Sequence, residues 1–143
     1  MKKKTILDLF SMKAKGEKLT WITAYDFPMA SFAEQAGIDM ILVGDSLGMV
    51  IMGYEGTIPV TMEDCISHCQ AVRRGAKNTM IVGDMPFMSY QVSDESAVIN
   101  AGRFLKEADA DAVKLEGGRR MCSRISRPSG WKRWSACSAP LRR

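Results

Sequence analysis

The chain has 143 residues, of which 46% are hydrophobic and 25% charged, values typical of a globular protein with a real core. No apolar run approaches the roughly 18 residues of a membrane-spanning helix, so we expect no membrane partner. Lysines at the start are not followed by the hydrophobic region of a signal peptide. We therefore expect a cytoplasmic chain whose cysteines are reduced thiols.

The net charge of +4 is an average over two unlike segments. Residues 1–118 contain 12 Lys/Arg and all 16 Asp/Glu, a net charge of −4, whereas residues 119–143 contain 8 Lys/Arg and no acidic residue, a net charge of +8. The composition thus changes abruptly at Arg119. It predicts two parts, a folded unit over 1–118 and a basic tail over 119–143.

Within the first part, helical patterns alternate with short apolar strands. The predicted helices are 5–16, 28–36, 61–76 and one that begins at Ser93, the predicted strands are 19–24, 40–43, 79–82 and 110–115, and a loop without regular period spans 45–59. This βαβαβαβ order predicts a parallel sheet with right-handed crossovers.

The strand at Met40 to Val43 is the element around which the chain is organised. It is continuously apolar and ends at Gly44, which is typical of a strand buried on both faces. Two later strands end in the same way, in charged residues beside glycine. Because carboxyl ends of parallel strands meet at one edge of a sheet, we expect five polar side chains to converge there. These are Asp45, Ser46, Asp84, Lys114 and Glu116.

Two α/β folds fit this order of elements: an open doubly wound sheet and a (β/α)8 barrel. In an open sheet only strands near the switch point contribute to a site, whereas successive barrel strands all point at one mouth. Acidic residues after three successive strands favour the barrel. Since a barrel needs about 250 residues, we expect the first half of one, ending after about four strands.

Carboxylates that converge at one edge repel one another unless a cation lies between them. Hard oxygen ligands suit Mg²⁺, which usually takes one or two carboxylates and completes its octahedron with water and substrate oxygens. A 2-oxo acid could chelate such an ion, and the metal would stabilise its enolate. Lys114 shares a strand face with Glu116 and could hold the substrate carboxylate, to which Ser46 could donate. The alternative is ordinary Gly-Asp turn chemistry.

Five motifs in order carry a family resemblance. They are Gly44-Asp-Ser-Leu-Gly48, Gly56-Thr-Ile-Pro-Val-Thr61, His68 to Gly75, Gly83-Asp-Met-Pro-Phe-Met88 and Val113-Lys-Leu-Glu-Gly-Gly118. From about Thr5 to Gly118 the chain resembles the ketopantoate hydroxymethyltransferases. The resemblance implies a barrel of the phosphoenolpyruvate/pyruvate type and a homo-oligomer such as a decamer. It also implies Mg²⁺-dependent hydroxymethyl transfer from 5,10-methylenetetrahydrofolate to 3-methyl-2-oxobutanoate, which gives 2-dehydropantoate for pantothenate biosynthesis.

The resemblance also implies residue roles. Asp45 and Asp84 would bind the metal, with Glu116 close to it or bridged by water, and Asp45, Ser46, Asp84 and Lys114 would hold the oxo acid. The family's proton-abstracting glutamate lies on a later strand, beyond the matched region. We therefore expect no catalytic base within this chain, and no turnover or only a trace of it.

Residues 119–143 have no helical or strand period and do not resemble the family. Loss of acids with enrichment in Arg, Ser and Trp is typical of out-of-frame translation, so a frameshift or a sequencing error is the first interpretation, and a natural disordered tail is the second. We expect no nucleic-acid partner. The alternative is a non-enzymatic fragment whose cations and two tryptophans, Trp131 and Trp134, bind nucleic acid.

Two other hypotheses depend on cysteine. A phosphoenolpyruvate-mutase or lyase-like barrel would call for a nucleophilic cysteine in loops 45–59 and 85–90, which contain none. Cys65, His68 and Cys69 lie within about one helical turn and could suggest a soft-metal site. A fourth ligand is missing, so the pattern favours packing.

Overall fold

The computed structural model describes residues 3–118, together with the backbone of residues 135–137. The elements are α1 (Ile6–Ala14), β1 (Trp21–Thr23), α2 (Phe27–Gln35), β2 (Met40–Val43), α3 (Leu47–Val50), α4 (Met62–Gly75), β3 (Met80–Asp84), α5 (Asp94–Glu107), β4 (Ala112–Leu115) and β5 (Ser135–Cys137). In this part of the chain no helix is both long and apolar enough to cross a membrane.

The strands form one parallel sheet in the order β1-β2-β3-β4-β5. The register places Ile41 beside Ile81 and Asp84 beside Lys114. Every residue of β3 is buried, as is expected of a strand covered on both faces. The four predicted strands and their parallel arrangement are confirmed.

Local capping signals start the helices where the sequence predicts. At α4 the Thr61 hydroxyl accepts a hydrogen bond from the Asp64 amide at 3.2 Å, and the Asp64 carboxylate accepts one from the Thr61 amide at 2.9 Å. This reciprocal capping box satisfies two amides that have no partner inside the helix. Arg73 and Arg74 lie in the last turn of α4, where cations complement the helix dipole.

The core lies between the sheet and the helices α4 and α5. Helix α4 contributes a fully buried stripe that includes Cys65, Cys69 and Val72, and α5 contributes Phe104, which is also fully buried. Both cysteines are free thiols. The packing interpretation of this helix face is therefore confirmed.

The loop after β2 is more ordered than the sequence predicts. Its residues 47–50 form the short helix α3, in which Leu47 is completely buried while Met49 and Val50 are exposed. Four residues are too few to show a helical period, so the helix depends on the anchoring of Leu47 in the core. The prediction of a loop without regular structure was wrong at this point.

A second difference lies within the basic tail, for which we expected no strand. Ser135–Cys137 forms β5, parallel to β4, with Leu115 paired to Cys137. The outer edge of β4 presents backbone donors and acceptors, and an extended segment satisfies them whatever its sequence pattern. The prediction of disorder for residues 119–134 and 138–143 lies outside the described residues.

The amino-terminal edge of the sheet is held by carboxylates that bind main-chain amides. Asp111 accepts hydrogen bonds from the Ile81 amide at 2.9 Å and from the Arg73 guanidinium at 2.6 Å. Asp39, which is buried, accepts one from the Thr20 amide at 2.8 Å. These acids tie strands and helices together at the edge opposite the predicted site.

Gly83→Ala is expected to lower the free energy of unfolding by about 1–3 kcal/mol. A Cβ at Gly83 would lie 2.3 Å from a ring carbon of Phe104, which is fully buried and has little room to move. Urea unfolding measures the loss. Gly56→Ala is the control, since a Cβ there meets no atom within 4 Å. Equal stability of the two variants would contradict this packing.

Candidate active site

Three charged side chains meet at the carboxyl ends of β3 and β4. The Lys114 ammonium nitrogen lies 2.7 and 2.6 Å from the two carboxylate oxygens of Asp84, and 2.8 Å from Oε1 of Glu116. Asp84 is only 3% exposed, whereas the Glu116 side chain is 68% exposed. Lys114 and Glu116, predicted to share a strand face, are in contact, although Glu116 lies one residue beyond the end of β4. The site runs from a buried acid to an exposed one.

Burial dominates the electrostatics of Asp84. Loss of hydration raises the pKa of its carboxyl group to about 6, although the hydrogen bonds and the charge of Lys114 act in the opposite direction. The charges of the neighbouring carboxylates of Asp45 and Glu116 contribute to the same upward shift of the pKa. For Lys114, burial lowers the pKa, but its bonds to Asp84 and Glu116 outweigh burial and the net shift is upward. Lys114 therefore remains a cation at neutral pH.

The residues after β2 approach the same acid. Asp45 is close enough for its charge to affect the pKa of Asp84, and the Ser46 hydroxyl lies 2.8 Å from the phenol oxygen of Tyr25. Gly44 makes the close approach possible, since a Cβ there would lie 2.9 Å from the Ser46 hydroxyl and 3.6 Å from a carboxylate oxygen of Asp84. The carboxyl ends of the strands therefore place Asp45 and Ser46 near Asp84.

Two tyrosines in this region were not among the predicted site residues. Tyr25 follows β1 and bonds Ser46, while its main-chain oxygen lies 2.6 Å from Nδ1 of His68. Tyr90, in the loop after β3, accepts a hydrogen bond from the Glu116 amide at 3.1 Å. Both tyrosines follow a strand in the chain, which is the one signal that could have identified them.

The carboxylates of the described residues suit a divalent cation with one or two protein ligands better than a cation with three. No group of three or more His, Cys, Asp or Glu side chains is arranged to hold a metal ion within residues 3–118. Asp84 is a buried carboxylate whose pKa is raised in part by Asp45, so a cation beside the two would stabilise both. One or two carboxylates are the usual protein ligands of Mg²⁺. The metal roles of Asp45, Asp84 and Glu116 remain predictions.

The buried cysteines do not supply a nucleophile. Burial raises the pKa of Cys69 to about 12 and raises that of Cys65 as well, so both remain protonated thiols at neutral pH. His68 binds the main chain of Tyr25. These contacts agree with packing rather than with a soft-metal site.

Comparison of sequences identifies one family. A family model described as ketopantoate hydroxymethyltransferase matches residues 3–129, beyond Gly118 where we expected the resemblance to end. The 3-methyl-2-oxobutanoate hydroxymethyltransferase of Alkaliphilus metalliredigens is 75% identical over 124 residues, covering 87% of this chain and 44% of that protein. The enzyme of the same name from Syntrophus aciditrophicus is 62% identical over 116 residues, covering 81% and 43%. The chain spans less than half the length of these relatives.

Comparison of structures identifies the fold. A phosphonopyruvate hydrolase solved with oxalate and Mg²⁺ matches with a TM-score of 0.63 at 16% identity, over 77% of this chain and 38% of that one. A phosphoenolpyruvate phosphomutase from Streptomyces platensis subsp. rosaceus matches with a TM-score of 0.64 at 18% identity, over 82% and 46%. The described residues therefore share the fold of part of a (β/α)8 barrel, as predicted.

We expect the carboxyl group of Asp84 to titrate near pH 6 rather than near its ordinary value of 3.8. Because the folded chain retains a proton that the unfolded chain releases, the stability contributed by this group is complete below about pH 4 and is lost as pH rises through about 6. Carboxyl ¹³C NMR measures the titration, and unfolding of wild type and Asp84→Asn at each pH measures the stability. Asp109→Asn, at a side chain 82% exposed, is the control. A midpoint at or below pH 4 would contradict the analysis.

Lys114→Met is expected to raise the pKa of Asp84 above about 6, because the substitution removes the hydrogen bonds and the charge that now lower it. The same ¹³C titration measures the change. Lys106→Met, at an exposed position on α5, is the matched control and should leave the midpoint unchanged. An unchanged midpoint in Lys114→Met would show that the ion pair is absent in solution.

Proposed function

Because the chain belongs to the ketopantoate hydroxymethyltransferase family, we propose that it takes part in hydroxymethyl transfer from 5,10-methylenetetrahydrofolate to 3-methyl-2-oxobutanoate. The product is 2-dehydropantoate, in pantothenate biosynthesis. The observation that carries the proposal is the contact of Lys114 with both Asp84 and Glu116 at the strand ends of the partial barrel. Active sites of barrel enzymes lie at this edge.

The substrate has two groups that match the site. Its carboxylate is an anion, for which Lys114 supplies the cation and Ser46 a hydroxyl donor. Its keto oxygen and carboxylate together form a chelating pair for Mg²⁺, which Asp45 and Asp84 would hold, with Glu116 nearby or bridged through water. When bound, the metal supplies Lewis-acid stabilisation of the negative charge that develops on the keto oxygen.

The chain's own residues then have separate tasks. Lys114 already supplies one cation to the buried Asp84, and a metal ion beside Asp84 and Asp45 would further stabilise the two negative charges. Lys114 is held by two carboxylates and can turn from Glu116, which is exposed, to an incoming carboxylate without leaving Asp84. The tyrosine–serine contact at 2.8 Å orients the Ser46 hydroxyl.

Removal of the proton next to the carbonyl requires a general base. Among residues 3–118 we assign this role to none, since the family resemblance places the glutamate on a later strand of the barrel. The described residues therefore bind and orient the oxo acid. We expect the chain by itself to show no turnover or only a trace.

We further propose that the protein acts in the cytoplasm and as a homo-oligomer. Large apolar side chains exposed on β1 and α2 support burial against further protein, among them Trp21 at 48%, Phe27 at 53% and Phe32 at 64%.

The division into a barrel part over 1–118 and a basic tail over 119–143 remains part of the proposal. The nucleic-acid alternative for the tail concerns side chains outside the described residues.

We expect 3-methyl-2-oxobutanoate to bind the wild-type chain only when Mg²⁺ is present, as measured by saturation-transfer NMR and by calorimetric titration. Asp84→Asn should weaken this binding at least about tenfold, because it removes a carboxylate that would face the metal. Asp109→Asn, at an exposed carboxylate remote from the strand ends, is the control.

A folate-dependent transfer assay completes the experiment. Binding of the oxo acid that is independent of Mg²⁺, or that Asp84→Asn and Asp109→Asn leave equal, would refute the proposed roles of the strand-end residues. Binding without turnover is the result expected if residues 3–118 hold the oxo acid and none of them acts as the base.

A further inference from the structure

Tyr90 is a buried phenol that the proposed reaction does not use. It lies in the loop after β3, is only 4% exposed, and its hydroxyl oxygen accepts a hydrogen bond from the Glu116 amide at 3.1 Å. Since the phenol oxygen accepts there, its own proton is not used in this bond. Burial raises the pKa of Tyr90, so the group stays a neutral phenol.

Glu116 lies between the end of strand β4 and a pair of glycines. It is the first residue after β4, and its amide donates to Tyr90 rather than to a neighbouring strand. The next two residues, Gly117 and Gly118, have φ of 110° and 67°, a backbone conformation that favours glycine. Because glycine backbone adopts many conformations, Gly117 and Gly118 do not by themselves hold the Glu116 carboxylate against Lys114.

The loop that carries Tyr90 is firmly braced. The Ser89 hydroxyl donates to the Pro86 carbonyl at 2.7 Å, and the Asn100 side chain on α5 donates to the Ser89 carbonyl at 2.6 Å. Met88 is held at a φ of 67°, which is uncommon for a residue with a side chain. The phenol oxygen is therefore a fixed acceptor, attached through Ser89 to a core helix.

We propose that Tyr90 is a positioning residue of the site: its hydroxyl anchors the main chain at Glu116 and so keeps the Glu116 carboxylate against Lys114. Glu116 is then held at two points, its amide by Tyr90 at 3.1 Å and its carboxylate by Lys114 at 2.8 Å. The importance of this pair for binding metal and oxo acid rests on the proposed function. The positioning itself does not.

The test compares the full chain with Tyr90→Phe, which retains the buried ring and removes only the acceptor. Tyr54→Phe, at a side chain 41% exposed in the loop after β2, is the matched control. Amide hydrogen exchange measured by NMR should be roughly fivefold faster or more at Glu116 in Tyr90→Phe, since a typical hydrogen bond contributes on this scale. The amides of Val113 and Lys114 should keep their wild-type rates.

A second measurement reports on the carboxylate. In the wild-type background, Lys114→Met should shift the carboxyl ¹³C resonance of Glu116, because it removes the cation in contact with that group. In the Tyr90→Phe background the same substitution should produce less than about half of this shift. A tyrosine that merely fills space would not change this response, because phenylalanine fills the same space.

Several results would overturn the proposal. They are unchanged exchange at Glu116, equal acceleration of all β4 amides, or an undiminished response of Glu116 to Lys114→Met. Neither measurement needs metal or substrate. If both behave as expected while the wild-type chain binds no oxo acid with Mg²⁺, the positioning role stands and the proposed function fails.

Discussion

The buried ion pair between Asp84 and Lys114 is the interaction on which the carboxyl edge of the sheet depends. Asp84 is 3% exposed, and burial alone would keep it protonated well above its ordinary range. The β3–β4 register places Lys114 directly beside it, which gives the acid both a charge and two hydrogen bonds. Removal of one partner from such a pair commonly costs about 3–5 kcal/mol, because the other charge remains buried.

The two edges of the sheet use acidic residues differently. At the amino-terminal edge, Asp39 and Asp111 accept hydrogen bonds from main-chain amides and also form ion pairs with Lys4 and Arg73. At the carboxyl edge, both carboxylate oxygens of Asp84 accept hydrogen bonds from the ammonium group of Lys114, which also binds Glu116. Asp39 and Asp111 are thus bound to the main chain of other elements, whereas Asp84 is held by a side chain of the neighbouring strand.

The sequence comparisons and the structural comparisons give two separate findings about this chain. High identity to hydroxymethyltransferases places the chain in its family, and low-identity structural matches place its sheet in a partial barrel. At the strand ends, the ammonium group of Lys114 contacts the carboxylates of Asp84 and Glu116, so a group that can bind anions lies beside groups that can bind cations. Tyr25 and Tyr90 add hydroxyl groups that bind the Ser46 side chain and the Glu116 amide.

The sequence by itself determined the four strands, the helices between them and the residues at the strand ends, because apolar runs, capping residues and glycine stops are local signals. The two-residue spacing of Lys114 and Glu116 also predicts that their side chains lie on one face of the chain. Only the tertiary structure decided that α3 forms, that β5 joins the sheet, and that Tyr25 and Tyr90 bond Ser46 and Glu116. These features depend on contacts between residues distant in the chain, which a local pattern does not encode.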